Sequence, residues 1–274
     1  MRDDGDIFQA NPPGLTRVLT NAAAFVAGAG GLGSNVAMLL VRAGIGKLTI
    51  ADFDRVSASN LNRQWYTRHQ LGKLKVEALR DNLLDINPDV QVEIFPVRLS
   101  EENFSTVIPL RPDLIFECFD SPAAKAELTR FVLTYRRDIP YIAVSGIGGA
   151  GALERLCIRE VRHGFFLIGD GETDVADGIG TLSTRVMAAA AAQAHCGITL
   201  LNQLALKRPE LFYAGQSLEV AAADGRQFIV GQMFEPDSFQ NQCRITEGKI
   251  SAEQEFMASG HIDAMPEHTP AEDS

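Results

Sequence analysis

Residues 25–54 leave this chain little choice of fold. An apolar run, Phe25-Val26-Ala27, meets a glycine turn, Gly28-Ala29-Gly30-Gly31-Leu32-Gly33. A helical pattern follows, with Leu32, Val36, Leu39, Leu40 and Ala43 on one stripe, and Gly44 and Gly46 end it. A second apolar run from Lys47 closes in Asp52. A strand–turn–helix–strand unit of this kind cradles a nucleotide phosphate. Gly28 permits the tight turn, Gly30 lets the backbone approach phosphate, and Gly33 lets the helix sit close to the sheet. Gly31 opens the helix, whose first N–H groups and partial positive charge face an anion. Asp52 is placed to hydrogen-bond a ribose hydroxyl. The glycines alone could occur by chance; the strand before them, the helix after them and the acid about 20 residues on supply the required context.

The rest of the chain extends this unit. Strands are expected over 23–28, 47–52, 90–97, 113–118 and 141–145, with helices over 32–43, 73–86, 101–108 and 122–137 between them. This alternation predicts an α/β fold, a Rossmann-like doubly wound and mostly parallel sheet. Beyond the glycine-rich connection 146–151, the segments Leu153–Val161 and Phe165–Ile168 read as antiparallel edge strands that extend the sheet. An alanine-rich helix is expected over 182–206, with Ala188 to Ala192 in its first half. Hairpin signals follow at Ala223-Asp224-Gly225-Arg226 and Glu247-Gly248. The expected organisation is an N-terminal extension over 1–22, a nucleotide-binding domain over 23–206, a hairpin extension over 207–251, and an acidic, disordered tail over 252–274.

Charge narrows the function. The net charge is −10. Six acids and no Lys or Arg fall in 252–274, and Arg2 stands against three aspartates in 1–6, so the body is nearly neutral. No basic block is present to track a nucleic-acid backbone, and nucleic acid is not an expected partner. No apolar stretch reaches the ~20 residues of a membrane span. The polar start, Met-Arg-Asp-Asp-Gly-Asp, is unlike a signal peptide, so the expected location is cytoplasmic. The cysteines, Cys118, Cys157, Cys196 and Cys243, form no C-x-x-C pair and read as reduced thiols, with Cys157 and Cys196 in the core.

The string Asp52-Phe53-Asp54-Arg55-Val56-Ser57-Ala58-Ser59-Asn60-Leu61-Asn62-Arg63-Gln64 is far more specific than the glycines. Together with the glycine turn it resembles the ThiF/MoeB/HesA family, relatives of the ubiquitin-activating enzymes. Gly72-Lys73-Leu74-Lys75-Val76-Glu77-Ala78 is similar to that family's G-x-x-K-V-x-A segment, and Asp120 to its catalytic aspartate. The likeness covers roughly 23–205 and leans toward the shorter ThiF-type adenylyltransferases. It implies binding of ATP and Mg²⁺ and adenylation of the C-terminal Gly-Gly carboxylate of a ubiquitin-like sulfur carrier protein. For ThiF-type members that carrier is ThiS, which supplies sulfur for the thiazole of thiamine. The resemblance also implies a homodimer.

The implied residues suit the chemistry. Two anions must approach one another, so fixed cations are needed. Arg63 can grip phosphate with a planar fork, and Lys75 can add a point charge from the start of its helix. Asp120 lies past the carboxyl end of a strand, where open α/β sheets bind ligands, and can hold Mg²⁺. Asn60 can donate to a phosphate oxygen. Asp54 shapes the turn, and Asn62 and Gln64 cap loop backbone. A nicotinamide-dependent dehydrogenase could use the first half alone, and a non-catalytic carrier-binding protein remains a third reading. The sequence also departs from the family. The paired C-x-x-C zinc motif is missing, so no zinc is expected. The loop 169–184 has no cysteine. The N-terminal arginine segment of relatives is missing too, with Arg17 the nearest candidate.

Overall fold

The computed structural model describes residues 7–173, 178–207, 219–221 and 227–229. The hairpin signal at 247–248, Cys243 and the acidic tail therefore lie outside the described residues. Seven strands form one sheet: β1 (Ala23–Ala27), β2 (Lys47–Ala51), β3 (Gln91–Phe95), β4 (Leu114–Glu117), β5 (Tyr141–Val144), β6 (Cys157–Arg162) and β7 (Phe165–Gly169), in the order β3-β2-β1-β4-β5-β7-β6. The described helices are α1 (Leu15–Thr20), α2 (Gly31–Ala43), α3 (Lys75–Ile86), α4 (Phe104–Val107), α5 (Pro122–Tyr135) and α6 (Ser183–Lys207). Two short strands, β8 (Glu219–Ala221) and β9 (Gln227–Ile229), pair with each other in a separate sheet.

The order reverses between β1 and β4, which makes their carboxyl ends the switch point where α/β sheets bind ligands. Both strands are buried and, apart from Glu117 at the end of β4, apolar, as strands covered on two faces mostly are. Alternate residues of β1 serve the two layers. Phe25 and Ala27 pack into a core with Phe104, Ile115, Leu128 and Tyr141 beneath α4 and α5. Val26 faces the other layer, against the start of α2. There α6 packs along α2, and it lies so close to β4 that a Cβ on Gly197 would stand 2.6 Å from the Phe116 ring. Its small residues make that approach possible. α5 starts as its sequence dictates: Ser121 Oγ accepts from the Ala124 N–H, and Pro122 occupies the first turn.

Two expectations change at the far edge. Phe165–Gly169 runs parallel to β5, with Tyr141 opposite Phe165, so β7 is an internal strand. Only β6 runs antiparallel, paired to β7 with a register shift between Glu160 and Arg162. Residues 153–155 form a 3-10 turn ahead of β6 rather than part of the strand. β6 is exposed along its whole length, and Cys157 with it. Cys157 is therefore not a core residue, because an edge strand with neither face covered buries nothing.

Candidate functional site

The carboxyl edge of β1, β2 and β4 gathers the residues that the sequence singles out. The turn after β1 is fixed by contact. Gly28 has φ +100, and a Cβ there would lie 2.9 Å from the Cys118 carbonyl oxygen at the end of β4. A Cβ on Gly33 would fall 1.8 Å from the Gly28 carbonyl oxygen, so the first turn of α2 rests directly on the loop. Gly30 is different. Its φ is −81, and the space over it is open except for Gln64 Nε2, 3.9 Å from a Cβ placed there. The helix N-terminus beside it presents N–H groups toward that space.

Asp52 is tied to the turn. Its Oδ2 accepts from the Ala29 N–H at 2.7 Å and its Oδ1 from the Asp54 N–H at 2.8 Å. Each oxygen keeps a lone pair for a ligand hydroxyl. Burial pushes the Asp52 carboxyl above its ordinary range, against the lowering effect of the Ala29 N–H and Lys75. Lys75 is buried, and its Nζ lies 2.8 Å from Asp54 Oδ2. Asp54 thus does more than shape a turn.

The loop 57–65 is stitched to α2. Ser34 Oγ donates to the Gly30 carbonyl and accepts from the Trp65 N–H. Asn35 Nδ2 donates to the carbonyls of Gly31 and Arg63. Arg63 lays its aliphatic stem over Gly31, while its Nη1 donates to the Ser59 carbonyl and Asn62 Oδ1. Asn60 Oδ1 caps the Ser57 N–H, which leaves the donor end of its amide for a ligand. Gln64 is buried but caps no backbone: its Oε1 has no hydrogen-bond partner. That corrects the expectation from sequence, and the reason is position, since Asn35 already holds the loop carbonyls. Asp120 is exposed in the turn after β4 and takes no hydrogen bond or ion pair from a described residue. Among the described residues no group of three or more His, Cys, Asp or Glu could hold a metal ion by itself.

The ThiF family model matches residues 7–245. The chain belongs to the ThiF family. It is 43% identical over 115 residues to the sulfur carrier protein adenylyltransferase of Thermus thermophilus, covering 41% of each chain. It is 41% identical over 110 residues to ubiquitin-like modifier-activating enzyme 5 of Caenorhabditis elegans, covering 36% of this chain and 26% of that protein. It is 35% identical over 144 residues to the adenylyltransferase and sulfurtransferase UBA4 of Candida glabrata, covering 52% and 33%. The chain thus spans well under half the length of these curated relatives. Among solved structures, the Escherichia coli tRNA N6-threonylcarbamoyladenosine dehydratase TcdA in complex with ATP superposes with a TM-score of 0.66 at 21% identity, covering 71% of this chain and 91% of that one. Escherichia coli MccB with ATP gives a TM-score of 0.54 at 20% identity, covering 68% and 58%. These likenesses establish the fold.

Several side chains that build the site in this ThiF-family chain carry no motif of their own. The buried Tyr66 hydroxyl donates to the Ala29 carbonyl at 2.7 Å and lies 3.3 Å from the Lys75 carbonyl, joining the glycine turn to α3. Burial, then the charges of Asp52 and Asp54, raise its pKa well above the ordinary value. Its one signal in sequence is an aromatic pair directly after the polar loop. Under β4, the buried Glu117 accepts from the Phe119 N–H and from Lys125, which also donates to the Val144 carbonyl. Gln193 reaches from α6 to the carbonyls of Glu117 and Ile142. Together these fix the turn that leads to Asp120. At the start of α6, Arg185 pairs with Asp170 and donates to the carbonyls of Gly151 and Ala152. Burial holds the thiols of Cys118 and Cys196 protonated, Cys196 up to about 12, so neither is a ready nucleophile.

Proposed function

We propose that this chain is an ATP- and Mg²⁺-dependent adenylyltransferase that activates the C-terminal Gly-Gly carboxylate of a ubiquitin-like sulfur carrier, a ThiS-like protein serving thiamine thiazole synthesis in the cytoplasm. One observation carries the reading. Arg63 lies over Gly31, the first residue of α2, and Lys75 is anchored by Asp54 beside Asp52, which is itself bonded to the Ala29 N–H of the glycine turn. Two fixed cations and a helix N-terminus beside one cradle suit a polyphosphate undergoing substitution better than a dinucleotide held for hydride transfer. The names of the relatives, a sulfur carrier protein adenylyltransferase among them, and the ATP complex of TcdA support it.

In this reading a carboxylate oxygen of the carrier forms a bond to the α-phosphorus of ATP. The bond to the bridging oxygen breaks, and pyrophosphate leaves with the electron pair. Asp52 and Asn60 bind the nucleotide, on the ribose and a phosphate. Arg63 and Lys75 stabilise the charge that builds on the phosphoryl oxygens. Asp120 suits Mg²⁺: it is an exposed carboxylate that takes no hydrogen bond or ion pair from a described residue, and this ion is commonly held by one or two carboxylates plus substrate phosphates. Bound there, the ion offsets charge on the phosphates.

A homodimer is part of the proposal. β6 exposes its full length, including Ile158 and Val161, and Leu153, four residues before it, is exposed as well. ATP–pyrophosphate exchange with a purified Gly-Gly carrier and Mg²⁺ tests the activity, with a carrier lacking its last glycine as control. No exchange, combined with tight NADH binding, would overturn the reading. Sedimentation of the protein at micromolar concentration tests the dimer.

A further inference from the structure

A groove of about 530 Å³ opens along the later turns of α5, a volume in the range of ligand and anchor pockets. Arg130, Phe131 and Tyr135 of α5 line it, with Arg136 at the helix end and Glu101 from the segment before α4. It stands apart from the nucleotide end of the sheet. α5 starts at Pro122, just past Asp120, and its rise carries Phe131 about 13 Å further on.

A row of aromatic rings leads from the core into this groove. Phe104 is fully buried, and its ring centroid lies 5.2 Å from that of Phe131. The Phe131 centroid lies 5.4 Å from that of Tyr135, which is 67% exposed. The inner ring holds the next one in place, so the groove offers a fixed apolar surface. Its charge is positive. Glu101 is already paired with Arg130. Arg136 lies over the Phe131 ring, with Cζ 5.5 Å from the centroid, and neither it nor Arg137 forms an ion pair with a described residue. Arg136 Nη1 donates to the Tyr135 carbonyl and Arg137 Nε to the Leu133 carbonyl, a common use of cations at a helix C-terminus. Each bond takes one of the five N–H groups of a guanidinium.

Aromatic residues and arginine are the types concentrated at the centres of protein interfaces. We propose that this groove is a docking site for an acidic protein segment that carries one bulky apolar side chain. The apolar side chain seats against Phe131 and Tyr135, and the acids pair with Arg136 and Arg137. The inference is independent of the adenylation reading. Docking here leaves the carboxyl edge of the sheet free for nucleotide and carrier.

The test is fluorescence anisotropy of a labelled peptide of about twelve residues, all Asp and Glu except for one central Phe, against the full-length protein. Binding is expected with a Kd of about 100 μM or tighter, unmoved by saturating ATP. It should weaken about 10-fold in Arg136→Gln and in Tyr135→Ala, and further as salt is raised. Replacing the central Phe of the peptide by Gly should also lose about 10-fold, and a peptide with Lys in place of the acids should not bind. Tyr135 is exposed, so Tyr135→Ala should keep the parental melting temperature and pyrophosphate exchange. No peptide binding up to about 1 mM, or equal affinity in parent and both variants, would overturn the proposal. So would displacement by ATP, which would put the peptide at the carboxyl edge. A single-stranded oligonucleotide that binds where the acidic peptide does not, and is lost in Arg136→Gln, would give the groove to nucleic acid instead. A dimer that dissociates in Tyr135→Ala would give it to a second copy of the chain. Absence of pyrophosphate exchange in the parent would count against adenylation alone.

Discussion

The Lys75 ammonium sits buried with Nζ 2.8 Å from Asp54 Oδ2, while Asp54 itself is half exposed. The two ends of this pair are therefore unequal. Removing Asp54 strands a cation that water barely reaches, whereas removing Lys75 leaves a carboxylate that water can solvate. Asp54→Ala is expected to lose about 1–3 kcal/mol of stability, and Lys75→Met less than about 1 kcal/mol. Activity should show the opposite order, with pyrophosphate exchange abolished in Lys75→Met and only reduced in Asp54→Ala. Urea unfolding and exchange assays on the two variants and the double variant measure both.

Asp120 supplies the cleanest separation of function from folding. It is exposed and bonds to no described residue, so Asp120→Ala should shift stability by less than about 0.5 kcal/mol. Exchange should fall by at least about 100-fold if the residue holds Mg²⁺ beside the phosphates. An Asp120→Ala variant with parental exchange at parental Mg²⁺ concentration would remove this assignment.

The Glu117–Lys125 pair supports that turn from below. Glu117 is 1% exposed, and Lys125 contacts both of its oxygens at 2.9 and 3.0 Å. Lys125→Met is expected to cost about 3–5 kcal/mol, because it leaves a buried carboxylate uncompensated. The Glu117→Leu, Lys125→Met double variant should recover much of that loss. Chemical denaturation of the single and double variants gives the coupling directly.

The largely apolar runs made the parallel sheet legible, since strands buried on two faces are mostly apolar, and β1, β2, β4 and β5 are, with Lys47, Thr49 and Glu117 the main exceptions. The direction of β7 was not legible. Phe165–Gly169 reads the same whether it runs with or against β5; the path of the chain through β6 decides it. Cys157 misled for a related reason, because burial of a strand residue depends on what covers the strand. The residues proposed for the site were singled out by the glycine turn and by the family resemblance of 52–64 and 72–78. Their supports were not, since Tyr66, Glu117 and Arg185 each act through a partner distant in sequence or a backbone atom that has no sequence signature.

The Arg185–Asp170 pair gives the chain an acid-sensitive joint. Both side chains are buried, and Arg185 Nη2 lies 2.5 Å from Asp170 Oδ2. Burial alone would raise the Asp170 pKa, but the N–H groups of Thr173 and Glu172, the Thr173 hydroxyl and Arg185 outweigh it, and the net direction is down. A carboxyl whose folded pKa is depressed contributes its full stability above its unfolded value, near about pH 4, and loses it as pH falls through the lower folded value. Asp170→Asn is expected to cost about 3 kcal/mol at pH 7 and to flatten this part of the acid response. Stability curves from pH 7 down to about pH 3 check the sign: the difference between parent and variant should shrink as pH falls.

The two glycines Gly30 and Gly33 separate binding from folding within a single turn. A methyl group on Gly33 would overlap the Gly28 carbonyl oxygen at 1.8 Å, a backbone atom that cannot move without displacing the end of β1. Gly33→Ala is expected to cost at least about 3 kcal/mol and to leave little soluble folded protein. Gly30 has a negative φ of −81, and a methyl there would meet only Gln64 Nε2 at 3.9 Å. Gly30→Ala should therefore keep stability within about 1 kcal/mol of the parent. Its methyl would occupy the space where phosphate meets the backbone, so ATP affinity should drop by at least about 10-fold. Thermal melts with ATP titration on the two variants test the pair: a Gly30→Ala protein that folds and binds ATP normally would place the phosphate elsewhere.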